Sequence, residues 1–301
     1  MKNQFKEKIM HGIFLIAACV SIFAVATICI FLFTSGVPAM FKAGIFDNFL
    51  FSGEWHPLND EFGILPMILG SIYITAGAIL IGVPIGILCA AFLAKFCPDW
   101  LYKLLKPAIN LLAGIPSIVY GFFGVTVIVP IIRNLFGGSG KSILTASILL
   151  GIMILPTIIS TTESAMRAVP ASYYEGALAL GATHERAVFK TIMPAAKSGI
   201  LAGIVLGIGR AIGETMAVVM VAGNKTTFAT SIFDGIRTMT SNIVLEMGYA
   251  QDLHREVLIA TGVALFVFIL LINLSFNLLK ERGNRKEKQR RKKKIVTENK
   301  E

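Results

Sequence analysis

The stretch "GILAGIVLGIGRAIGETMAVVMVAG", Gly199 to Gly223, is apolar enough to cross a bilayer, yet it carries Arg210 and Glu214 in its second half. A span needs about 20 apolar residues, and a lone charge at the bilayer centre costs roughly 2.5–3.5 kcal/mol on insertion scales. On an ideal helix of about 100° per residue, Gly203, Gly207, Arg210, Glu214 and Ala217 share one arc of roughly 80°. Small residues at this spacing let a neighbouring helix approach closely, so the face turns into a bundle and away from lipid. Arg210 and Glu214, four apart, are close enough to pair. Two readings stand. The pair is either a structural lock or the lining of a solute path, in which Arg210 offers a planar fork of donors to an oxyanion and Glu214 tunes or gates that charge.

Outward from this stretch, the 301 residues are 55% hydrophobic and 15% charged, with a mean hydropathy of +0.73. That balance excludes a soluble domain with a polar surface and predicts an all-α integral membrane protein of about six spans. The candidate spans are 10–34, 63–94, 107–132, 142–165, 199–223 and 257–279. The first follows Lys2, Lys6 and Lys8; it is too long for a signal-peptide core and has no clear small-residue cleavage site, so it reads as a retained span. Residues 35–62 read as an external loop, 63–279 as a permease-sized core, and 280–301 as a basic tail.

Lys and Arg orient the bundle. Most of the 28 fall in residues 1–9, the loop with Lys95, Lys103 and Lys106, the loop at 166–198, and the tail; the opposite loops hold Lys42, Arg133, Lys141, Lys225, Arg237 and Arg255. The rule that positive loops stay inside places both termini in the cytoplasm. The net charge of +10 therefore reflects topology and not nucleic-acid binding, although the tail suits a surface of anionic lipid. The four cysteines form no paired motif for a disulfide framework or metal site. "GGSGKS", Gly137 to Ser142, lacks the leading glycine of a nucleotide-binding loop, because that position is Leu135.

The loop at 166–198 is the most structured polar segment. Ser172 and Glu175 have capping-box spacing, Gly181 offers a helix stop, Thr183 a second cap, and Pro194 a break before the next span. These signals predict two short helices forming an elbow, with Glu175 serving either as a cap or as a contact for a partner. The elbow is similar to the coupling motif of importer permeases of the ATP-binding cassette (ABC) superfamily. Glu175, Ala177, Gly181 and Pro194 stand at the matching spacing, with Gly176, Thr191 and Met193 as departures.

Together with "FGILPMILGSIYIT", "LAGIPSIVYGFFG" and "GIGRAIGETMAV", the elbow makes the chain from about Phe62 to Lys280 resemble the permease subunits of bacterial phosphate importers. The resemblance implies a type I ABC importer fold in the inner membrane. It also implies an external binding protein that delivers inorganic phosphate, a second and similar permease subunit, and two copies of an ATPase subunit that docks on the elbow and carries ATP and Mg. This chain would then hold no cofactor, metal or catalytic residue of its own. Either of the two permease places fits these residues, as does a sulfate or other oxyanion permease, and a membrane scaffold or sensor without transport is the third class. Ser71, Thr75 and the hydroxyls around Glu163 are further path candidates, and Pro116 reads as a kink or a hinge.

Overall fold

The computed structural model describes residues 2–298; side chains of the basic tail from Lys280 onward lie outside the described residues. The chain is almost wholly helical and forms two compact units, Met1–Leu65 with Glu246–Phe266, and Pro66–Leu245 with Val267–Glu301. Among the described residues five helices are long and apolar enough to cross a membrane, or six if the pair His184–Ala195 and Lys197–Gly213, bent by 72°, counts as one span.

In the smaller unit, α1 (Lys2–Ala43) runs nine residues beyond the expected first span, and Pro38 lies inside it. Phe14, Ile16, Ile22 and Phe23 are exposed along it, the surface a lipid-facing span presents. Where α1 meets residues 259–263, Gly36 makes the contact possible: a Cβ there would stand 2.6 Å from the Val263 side chain. A hairpin follows, β1 (Trp55–His56) paired antiparallel to β2 (Glu61–Phe62), its turn closed by Asp60 at φ 57°. The Trp55 indole donates to both oxygens of the buried Glu246 carboxylate, at 3.1 and 2.9 Å, and His254 meets the same group at 2.8 Å.

The larger unit begins with α2 (Leu65–Ala91), extended by one wide helical turn to Phe96. Next come α3 (Asp99–Gly114), α4 (Ser117–Phe123) and α5 (Val129–Phe136), the last two joined by a wide turn. α6 (Ile143–Arg167) is the central helix and the most buried. Its opening N–H groups all find acceptors: Ile143 on Asp234 C=O, Leu144 on Ile232 C=O, and Thr145 on the Ser142 hydroxyl. The elbow supplies α7 (Ala171–Ala179), α8 (His184–Ala187) and α9 (Met193–Ala195). After it come α10 (Lys197–Gly213), α11 (Met216–Val221), α12 (Met239–Glu246) and α13 (Asp252–Glu298).

The glycine face expected on α10 is the one buried. Gly199, Gly203 and Gly207 lie against Ala165, Thr161 and Ile158 of α6, and a Cβ at Gly199 would stand 2.3 Å from the Ala165 Cβ. On the other side of α6, Gly86 of α2 meets Ile158 in the same way. The helices therefore pack at backbone contact, the arrangement expected in lipid, where burial of apolar surface does not itself drive helices together.

Two expected spans are not continuous. The run at 107–132 breaks at Ile115, whose ψ of 127° is extended, and Pro116 opens α4. Residues before a proline are pushed from helix towards extended backbone, so Pro116 is a break and not a bend within one helix. The run at 199–223 breaks at Glu214, also extended at ψ 128°, with α11 starting two residues later.

Candidate functional site

The two breaks lie beside one another. α4 crosses α11 at Gly121, where a Cβ would stand 3.1 Å from the Ala217 Cα, and one turn further Gly124 meets Val221. Tyr120 of α4 donates its hydroxyl to Leu112 C=O (2.9 Å), a carbonyl near the end of α3 that also accepts the Ile115 N–H at 3.4 Å. The Thr240 hydroxyl donates to Glu214 C=O (3.2 Å). Irregular backbone at membrane depth persists only where protein covers it or where it lines a wet cavity. Gly114, Gly209 and Gly213 each have open space where a side chain would project, so this side of the breaks is uncovered by the chain itself.

Arg210 stands in the last turn of α10, partly buried. The pairing with Glu214 does not form. Because α10 ends at Gly213, Glu214 leaves the helix path and its carboxylate accepts the N–H of Ala217 at 3.2 Å, capping α11. Among the described residues Arg210 makes no hydrogen bond or ion pair. The negative end of α10 supports its charge instead. The result is a cation and an anion on opposite sides of one helix break, each attached to a helix end. The sequence held a signal for this: Gly213 followed by Thr215 ahead of an apolar run has the form of a helix stop and restart.

Of the other path candidates, Ser71 is committed to structure, donating to Met67 C=O (2.9 Å) and accepting from Met239 N–H (3.1 Å). Glu163 is committed as well. Its buried carboxylate accepts from Lys106 (2.6 Å), from the Tyr102 hydroxyl (2.7 Å) and from Arg167 Nε (2.9 Å). Sequence reading missed Lys106 and Tyr102 because they lie 57 and 61 residues away, and it passed over Arg167 although it is only four residues on.

The elbow forms, with one correction. Ser172 lies inside α7 and not at its cap, which is Pro170, and no capping box closes; Glu175 is exposed. Gly181 is the stop, at φ 81°, with Ala182 N–H bonded to Ala177 C=O (3.1 Å) and Gly181 N–H to Leu178 C=O (2.9 Å). The Thr183 hydroxyl accepts Arg186 N–H (3.3 Å) and starts α8. The chain bends at Ala196, two residues after Pro194, before entering α10.

One side of the elbow is anchored, with Val188 and Ile192 fully buried against Met166 and Ala91, and Phe96 against the His184 ring at 4.5 Å. The other side is open. Gly176 has free space around it, Leu180 is 92% exposed, and a groove of about 490 Å³ runs between Tyr173, Ala177, Leu180, Gly181, Arg186 and Lys190.

A membrane bundle with broken spans and an open elbow defines a class, and the sequence of residues 82–286 matches one. The chain belongs to the binding-protein-dependent transport system inner membrane component family. It is 40% identical to the probable ABC transporter permease protein YqgH of Bacillus subtilis, over 87% of this chain and 89% of that one. It is 36% identical to the phosphate transport system permease protein PstC of Mesorhizobium japonicum, over 88% and 87%. The PstC protein of Pasteurella multocida matches at 34%, over 80% and 81%. Among solved structures, an inward-facing form of the MetNI methionine ABC transporter superposes with a TM-score of 0.60 at 18% identity, covering 76% of this chain and 98% of that one, which establishes the fold. The protein is thus a multi-pass membrane permease of the type I ABC importer fold, related to PstC proteins.

Proposed function

We propose that this chain is the PstC-type permease subunit of an ATP-driven importer and forms, with a PstA-like second permease, the path for inorganic phosphate. The observation that carries the reading is Arg210, a guanidinium with no protein partner among the described residues, at a break in a membrane span. Its planar fork suits two oxygens of a tetrahedral oxyanion. Glu214, fixed on the Ala217 amide across the break, keeps a negative charge nearby, which opposes tight retention and favours passage. The names of its relatives support phosphate as the solute.

The elbow, on the cytoplasmic side together with both termini, docks one of two PstB-like ATPase subunits through Glu175, Gly176, Ala177 and Gly181, with Pro194 setting the bend towards α10. ATP and Mg act on those subunits and not on this chain, which is a transport subunit and not an enzyme. A PstS-like binding protein delivers phosphate from outside. Because α10 starts directly after the bend at Ala196, closure of the ATPase pair reorients the helix that carries Arg210.

The test is uptake of labelled phosphate and sulfate by cells with and without the gene. Loss of phosphate uptake alone supports the reading; loss of sulfate uptake alone, or of neither, overturns it.

A further inference from the structure

α3 is sixteen residues long, and none of them is buried. Tyr102, Leu105 and Ile109 pack, partly buried, against Ala90, Leu93 and Ile159, and polar contacts fix the helix further. Those contacts converge on Glu163. Lys106 and Tyr102, one turn apart on α3, bind the two oxygens of this carboxylate, whose side chain is 2% exposed. Arg167, one turn further along α6, binds it too, donates through Nη2 to Leu93 C=O at the end of α2 (2.8 Å), and lies 4.5 Å over the Tyr102 ring. Three segments are tied at one carboxylate.

The position of this knot matters as much as its strength. Arg167 closes α6, and α7 of the elbow starts four residues later. At its far end, α3 stops at the first break, where Tyr120 of α4 holds Leu112 C=O and the next residue, Gly121, packs on Ala217 of α11. A physical route therefore runs from the elbow through Arg167 and Glu163 to α3, and through Tyr120 to the candidate path. It is separate from the covalent route through α10.

We propose that Glu163 is a positioning residue for transport: it is the joint that makes α3 follow the elbow, so that both halves of the broken path move together. The inference rests on the reading of the elbow as the ATPase docking site, and it does not depend on which solute is carried.

The test uses the whole importer reconstituted in proteoliposomes, with the four native cysteines replaced and a reporter, Leu112→Cys, at the end of α3. In the parent complex, ATP changes the labelling rate of the reporter by a membrane-impermeant thiol reagent. With Glu163→Gln, ATP hydrolysis persists while that change falls about tenfold, the size of a typical coupling between sites. Lys106→Met gives the same loss, and the double variant loses no more than either single one, because all three remove one joint. Tyr102→Phe, which keeps the ring under Arg167, guards against misfolding and shows a smaller loss. An unchanged ATP response in Glu163→Gln overturns the proposal, as does a parent complex in which ATP leaves the reporter unaffected. Hydrolysis falling in proportion to the labelling change reduces Glu163 to a structural role and overturns it equally. Phosphate uptake, measured in the same vesicles, tests the solute separately.

Discussion

The elbow and the helix break at Glu214 both follow a glycine, and they end their helices for different reasons. At Gly181 the stop is local. The residue adopts φ 81°, the last carbonyls of α7 are answered within six residues, and Thr183 restarts the chain. At Gly213 the backbone stays out of the left-handed region, and the helix ends because Glu214 finds a better acceptor role at Ala217 and its own carbonyl is taken by Thr240, 26 residues away. The lesson is that a stop written in neighbouring residues is legible, whereas a stop completed across the bundle shows only part of its cause in the sequence nearby.

Deleting Glu175 to Gly181 is expected to have the largest effect: the ATPase no longer co-purifies with the complex and uptake stops. Undiminished co-purification would show that docking lies elsewhere. Arg210→Gln comes next, abolishing phosphate uptake while the complex still assembles; normal uptake in transport assays removes Arg210 from the path.

Gly181→Val probes the local stop directly. A side chain in the left-handed region costs about 1–2 kcal/mol, so the end of α7 frays, which faster hydrogen exchange at Gly181 and Ala182 registers; no change there would mean the stop does not depend on glycine. Thr183→Ala removes a cap worth about 1 kcal/mol, seen as faster exchange at Arg186, with smaller consequences for transport than Arg210→Gln.

The smallest effect concerns the loop that caps α6. The Thr230 N–H, then the Thr230 hydroxyl and the Ser231 N–H, hold the Asp234 carboxyl below its ordinary value. A carboxyl depressed in the folded state stabilises above the unfolded value, and this contribution disappears as pH falls through the folded one. Protection of the Thr230 and Ser231 amides is therefore constant at neutral pH and drops only below the usual carboxylate range. Loss of protection near neutrality would contradict this.

Much of the molecule was legible in its sequence. The apolar run lengths marked the spans, though α1 ran on to Ala43 and two runs proved broken. The four-residue glycine spacing marked the face that meets α6, because helical geometry converts spacing into direction. The elbow followed from Gly181, Thr183 and Pro194, although Ser172 turned out to lie inside its helix. Arg210 and Glu214 were located, but their relation was misjudged, since i and i+4 pair only if the helix continues between them.

By itself, then, the sequence determined a membrane bundle, its glycine-packed face and the shape of its elbow, all of which depend on residues within a few turns of one another. Only the tertiary structure decided that Arg210 and Glu214 flank a break and that Glu163 ties three segments together. Those outcomes rest on partners such as Thr240, Tyr102 and Lys106, which lie far off in the chain and become neighbours only when the helices pack.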